Sequence, residues 1–183
     1  MKIHVIILLT LLPWINSFGQ EGAMDYDFYN SALEQVETYD STYFLLQNKT
    51  YRCYLPENRF DDFISDLQGK IDTAALNEII QNSHIAPVID FEFDESFISK
   101  EIGAKIITSS TIDSLQTNKD FSRPLNKRMF YICSMPVFDN ERNFAVIDFG
   151  GGTKINAMYG KKYLFAKSKE GWKLIATFDH WTS

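Results

Sequence analysis

The sequence predicts an α+β protein in which N-terminal helices pack on one face of a C-terminal antiparallel β-meander. Three observations lead there. Apolar side chains recur at helical spacing in three segments before residue 86. Strand-length apolar runs dominate residues 129–181. Short turn signals separate those runs, so that hairpin follows hairpin, and helices ahead of such a sheet define the class.

Each element has a local reason. In residues 25–39, Tyr26, Tyr29, Leu33 and Val36 share one face with Ala32 beside them, which predicts an amphipathic helix. Residues 42–55 change to Tyr43, Phe44, Leu45, Leu46, Tyr51, Cys53 and Leu55, a strand-forming set with Asn48-Lys49 as a turn. Phe60, Phe63, Ile64 and Leu67 then return to i, i+3, i+4, i+7 spacing, so 59–68 is helical, capped by Asn58 and ended by Gly69. A further helix starts after Asp72, whose carboxylate can accept the free amides of its first turn, with Ala75, Leu76, Ile79 and Ile80 as its buried stripe. Pro87 biases the residues before it away from helix, and 88–93 read as extended. A short strand is expected at 104–108 and a short helix at 111–117. Residues 129–138 form a strand whose end, at Pro136, lacks an amide donor and so belongs at an edge or bulge. Asp139-Asn140-Glu141-Arg142 turns the chain into 143–149. The glycines at 150–152 are expected to make a turn, and 156–167 and 171–181 form a second hairpin closed at Ser168-Lys169-Glu170-Gly171.

The first nineteen residues fit none of these elements. Lys2 gives a positive start, Ile3 to Leu12 is mostly apolar, Pro13 breaks the run, and Ser17 and Gly19 stand at the −3 and −1 positions before Gln20. That is the layout of a secretory signal cleaved after Gly19, and the run is too short to span a bilayer. Removing nineteen of the 183 residues leaves 164, which suits one α+β domain over 20–183 and an exported, periplasmic or secreted, location. No later run approaches membrane-spanning length. Loss of Lys2 takes the net charge from −6 to −7. An acidic chain whose densest basic groups are the pairs Lys127-Arg128 and Lys161-Lys162, read as solvated surface pairs, is not a nucleic-acid binder.

Two cysteines remain, Cys53 and Cys133. In an exported chain they are either a disulfide, worth about 4–5 kcal/mol on the chain-entropy model for so long a loop, or a pair of buried thiols. Spacing leaves both open.

Several motifs suggest chemistry and fail on spacing. Asp148-Phe149-Gly150-Gly151-Gly152-Thr153-Lys154 opens like the kinase metal-binding triplet and continues like an ATPase phosphate loop, but GxxxxGK[ST] spacing is absent and the chain is too short for a two-lobed ATPase. Asp90, Glu92, Asp94 and Glu101 imitate a calcium loop, yet Glu95 stands where glycine is needed and Ile98 where an oxygen is. His84 and His180 are too few and too separated for a zinc set, and no cofactor is expected. Asp179-His180 could supply an acid/base pair, with Asp148 as another carboxylate and Ser134 or Ser183 as nucleophile, although adjacent strand residues point to opposite faces. Aromatic residues make up 15 % of the chain. Tyr131, Tyr163, Trp172 and Trp181 are the set expected to line a pocket on the sheet.

The C-terminal third carries Ser134-Met135-Pro136-Val137-Phe138, Ala145-Val146, Tyr159-Gly160, Lys167, Gly171-Trp172-Lys173-Leu174 and a closing Trp181-Thr182-Ser183. Over roughly residues 128–183 this resembles a pattern in uncharacterised exported bacterial proteins, from which no activity transfers. The strand pair around Gly171-Trp172-Lys173 is also similar to the sheet edge of NTF2-like (cystatin-like) α+β domains. That superfamily includes enzymes and passive binding domains, so the likeness implies a fold and not a function. The leading expectation is a non-catalytic module that binds a small molecule or an envelope protein. The alternatives are a hydrolase using His180 with a nearby carboxylate, and a structural envelope-interaction protein.

Overall fold

The computed structural model describes residues 25–38, 44–85, 91–117, 129–154 and 156–183. The expected signal segment, Lys127-Arg128 and Asp90 lie outside them.

Helix α1 (Tyr26–Leu33) starts where Asp25 Oδ1 accepts the Phe28 amide at 2.9 Å. Strand β1 (Phe44–Tyr51) runs through Asn48-Lys49 without turning, and absorbs the polar pair as an irregularity between Leu46 and Thr50. A 3-10 turn (Glu57–Arg59) leads into α2 (Phe60–Asp66), and α3 (Thr73–Ile85) begins with Asp72 Oδ1 accepting the Ala75 amide at 2.8 Å. Of the extended run expected at 88–93, the described part forms only a bridge between Glu92 and Lys49. Strand β2 (Ala104–Ile107) and helix α4 (Ser109–Thr117) follow. The run at 129–138 divides at Met135-Pro136 into β3 (Phe130–Ser134) and β4 (Val137–Phe138), as expected where proline cannot donate to a ladder. The last three strands are β5 (Phe144–Lys154), β6 (Ala157–Ser168) and β7 (Gly171–Thr182).

The sheet order is β2-β1-β3-β5-β6-β7, with β4 also on β5. It is a mixed sheet, not the antiparallel meander expected. β1 lies parallel to both β2 and β3, while β3, β5, β6 and β7 are antiparallel. The expected meander accounts for β3 to β7, including the hairpin of 129–138 with the strand after it. Strands β1 and β2 fall outside it, because parallel pairing needs long crossover connections that leave no local turn signal.

The helices also cover both faces rather than one. On one face α1 packs Phe28, Tyr29, Ala32 and Leu33 against Ile147, Phe165 and Trp172, alongside Phe93, Ile98 and Ile102 from the loop before β2. On the other, α2 and α3 bring Phe63, Leu67, Leu76, Ile79 and Ile80 onto Val146, Leu164 and Phe178. Helix α4 extends that second face with Ile112 near Leu45, Ile107, Phe130 and Met158. A strand covered on both sides buries every position, so alternation stops reporting solvent.

Candidate functional site

The glycine run is where the sequence reading and the structure part most. Gly150, Gly151 and Gly152 do not turn; they continue β5, paired with β3 on one side and β6 on the other. They are small because aromatic rings lie on the strand. A Cβ on Gly150 would stand 2.7 Å from the Trp181 ring, and one on its cross-strand partner Gly160 would stand 2.3 Å from it. A Cβ on Gly151 would stand 2.5 Å from the Tyr131 ring. The glycines thus leave room for an aromatic side chain on each face of the sheet.

On the α2 face the strands bring together a closed set of charges. Lys162 is 5 % exposed, and its Nζ lies 3.1 Å from Asp148 Oδ2 and 3.0 Å from Asp179 Oδ2. Trp181 Nε1 donates to Asp148 Oδ1 at 2.6 Å, and Arg59, just ahead of α2, pairs with Asp179 Oδ1 and with Asp62 at 3.2 Å. Asp179 reaches Lys162 through a bulge. The β6–β7 register shifts between Gly160 and Lys162, and Asp179 takes φ = 50°. Burial alone lowers the Lys162 pKa, but the two carboxylates outweigh it and hold the ammonium above the ordinary lysine value. The Tyr51 phenol is buried without a hydrogen-bond partner in good geometry; desolvation and then the Asp148 charge push its pKa up. Ser134 is fully buried, with its hydroxyl accepting the Asp148 amide at 2.8 Å and donating to Met135 O at 3.0 Å. Cys53 and Cys133 are buried free thiols, both raised first by burial, Cys53 to about 12.

On the α1 face the same strands floor an open cavity of about 430 Å³. Its lining includes Tyr131, Phe149, Tyr159, Tyr163 and His180, with Glu37 and Lys161 contributing charge. Tyr131 and Phe149 stack at 5.2 Å with planes 9° apart, and Tyr163 meets Phe149 edge-on at 6.2 Å. Lys161 Nζ pairs with Glu37 Oε2 at 2.7 Å and lies 5.6 Å from the Tyr163 ring centroid. The Tyr163 hydroxyl accepts the Glu37 amide at 3.4 Å, and burial pushes its pKa up to about 12.

The residues singled out from sequence therefore divide between the faces. Asp148 and Asp179 share Lys162. His180 lines the cavity and also borders a second open pocket beside Asp179 and Arg59, but among the described residues no hydrogen bond or ion pair joins it to either carboxylate. Tyr131 and Tyr163 line the cavity; Trp181 borders it along the strand, but its indole lies over Gly150 and Gly160 on the other face and bonds Asp148. Trp172 does not line the cavity; it is buried edge-on against Phe28 and beside Phe138 in the α1 core, because its strand position falls under the helix. Lys161-Lys162 is not a solvated pair, since one member lines the cavity and the other is buried. Sequence reasoning missed Lys161, Tyr159 and Glu37. The i, i+2, i+4 set Tyr159, Lys161, Tyr163 was available as one face of a strand; Glu37 was not, because it meets Lys161 across 124 residues of chain. The calcium-like acids serve local structure: Asp94 Oδ1 accepts the Ser96 amide at 2.9 Å, and Glu92 lies 3.8 Å from Lys49. Among the described residues no group of three His, Cys, Asp or Glu could hold a metal ion, and no helix is long and apolar enough to cross a membrane.

Fold and site together define an α+β protein with a mixed sheet, a buried charge cluster on one face and an aromatic cavity on the other. No protein-family model, curated protein or solved structure matches the chain.

Proposed function

We propose that this is an exported binding module that takes a small ligand into the cavity on the α1 face and does no chemistry on it. The observation that carries the reading is the cavity itself. Its volume, about 430 Å³, falls in the range of ligand sites, and it sets a few convergent polar groups, Lys161, Glu37, Tyr163 and His180, against an aromatic floor. The reactive groups nearby favour binding over turnover. The Lys162 ammonium stays protonated between two carboxylates, which removes it as a nucleophile or base. Ser134 is committed to the backbone, and no carboxylate pairs with His180 among the described residues. Export rests on the signal-like first nineteen residues.

The test is a thermal-shift screen of the purified protein against aromatic acids, amines and neutral glycosides. A saturable rise in Tm that disappears in Tyr159→Ala, whose exposed ring forms the cavity wall, is the expected result. A rise unchanged by that substitution, or turnover of a screened compound, would count against the reading. Export is checked by cell fractionation with N-terminal sequencing: protein outside the cytoplasm that starts at Gln20 is expected, and protein confined to the cytoplasm with its first nineteen residues intact would overturn it.

A further inference from the structure

We infer that the cavity selects an anion, a planar aromatic ligand bearing one carboxylate that replaces Glu37 on Lys161. The inference rests on the reading of this cavity as a ligand site and adds the chemistry of its occupant.

The two charges in the cavity are not equivalent. The Lys161 side chain is 19 % exposed, whereas Glu37 is 74 % exposed. The cation is fixed by its stem and by the Tyr163 ring, while the carboxylate reaches it from the solvent side. Such a half-solvated ion pair contributes little, so a ligand anion can displace Glu37 at small cost. The enclosed charge that stays behind is positive.

Tyr163 supplies a second donor. Its oxygen already accepts the Glu37 amide, which leaves the hydroxyl proton to point elsewhere. Its raised pKa keeps that proton in place across the neutral range. An ammonium and a phenol O–H on one wall match a carboxylate, with charge-assisted hydrogen bonds from both.

The body of the ligand follows from the floor. Tyr131, Phe149 and Tyr163 are almost fully buried and present ring faces and edges, and Tyr159, 55 % exposed, stands as an aromatic wall. A one- or two-ring compound suits the volume. An organic cation, the other usual guest of aromatic rings, meets Lys161 Nζ already held near the Tyr163 face. A neutral sugar would respond to neither charge.

The experiment is isothermal titration of the full-length protein with three ring-matched probes: 4-hydroxyphenylacetate, its amide, and tyramine. The carboxylate is expected to bind roughly tenfold or more tightly than the amide, and tyramine not to bind. Lys161→Met should erase the preference for the carboxylate, and Lys161→Arg should keep it. Glu37→Gln, which removes the internal competitor, should tighten carboxylate binding about two- to fivefold. An unliganded Tm close to that of the parent confirms that each variant folds. Equal binding of the amide or of tyramine, or weaker carboxylate binding in Glu37→Gln, would overturn the anion assignment and leave the cavity a ligand site. Binding of none of the three would overturn the assignment and the ligand-site reading together.

Discussion

Lys161 and Lys162 are neighbours in the chain and lie on opposite faces of one strand, in opposite electrostatic circumstances. Lys162 is enclosed between two carboxylates, one of which also takes the Trp181 N–H and the other Arg59. Every partner there is supplied by the fold. Lys161 is held in a cavity by one carboxylate that is mostly in water. A charge whose partners are all internal stabilises one structure and offers nothing to a ligand. A charge fixed in place but weakly satisfied is available for recognition. The glycines that admit Trp181 on one face and Tyr131 on the other keep the two environments apart across a single layer of backbone.

The contrast can be broken most forcefully at Lys162. Lys162→Met leaves Asp148 and Asp179 facing each other without their cation, and a loss of about 3–5 kcal/mol in urea unfolding is expected. A loss below about 1 kcal/mol would mean the cluster is solvated.

Alkaline pH probes both faces at once. Tyr51 and Cys53, and Tyr163 on the cavity side, all have pKa values raised in the fold, Cys53 and Tyr163 to about 12. A group raised above its unfolded value contributes stability that is complete below the unfolded pKa. For these groups that means below about pH 9 for the thiol and about pH 10 for the phenols, and the contribution is lost as pH rises through the folded values. The Lys162 ammonium, also raised, adds a loss of the same sign at the upper end of this window. The urea midpoint should therefore fall between about pH 9 and 12, and Tyr163→Phe should flatten only the cavity face's share. A midpoint that rises over that interval would contradict the burial of these groups.

Gly160→Ala tests the partition itself. Its Cβ would stand 2.3 Å from Trp181 Cζ2, so the indole must move and release Asp148. A cost of about 1–3 kcal/mol with altered tryptophan fluorescence is expected. The smallest effect belongs to Glu37→Gln, which should change stability by at most about 1 kcal/mol, because its ion pair with Lys161 is largely in water.

Much of this arrangement was legible from short-range pattern. Helical spacing located α1, α2 and α3, and turn residues located the β4–β5 and β6–β7 hairpins. The aromatic character of the cavity was visible in Tyr131 and Tyr163. The remainder depends on contacts that local pattern does not carry. The parallel pairing of β1 with β2 and β3 needs crossovers of many residues. Lys161-Lys162 looks like a surface pair only while one face of the sheet is taken to be wet; helices on both faces remove that premise. The glycine run looks like a turn until Trp181 and Tyr131 are seen lying on it. Asp179 shares the Lys162 face with Phe178 because a bulge inserts one residue, and strict alternation cannot foresee a bulge.

The central claim, that adjacent lysines serve stability on one face and recognition on the other, is tested most directly by urea denaturation of Lys161→Met and Lys162→Met side by side. The expected result is a midpoint near the parent's for Lys161→Met and a large drop for Lys162→Met. Equal losses, or the larger loss at Lys161, would contradict it.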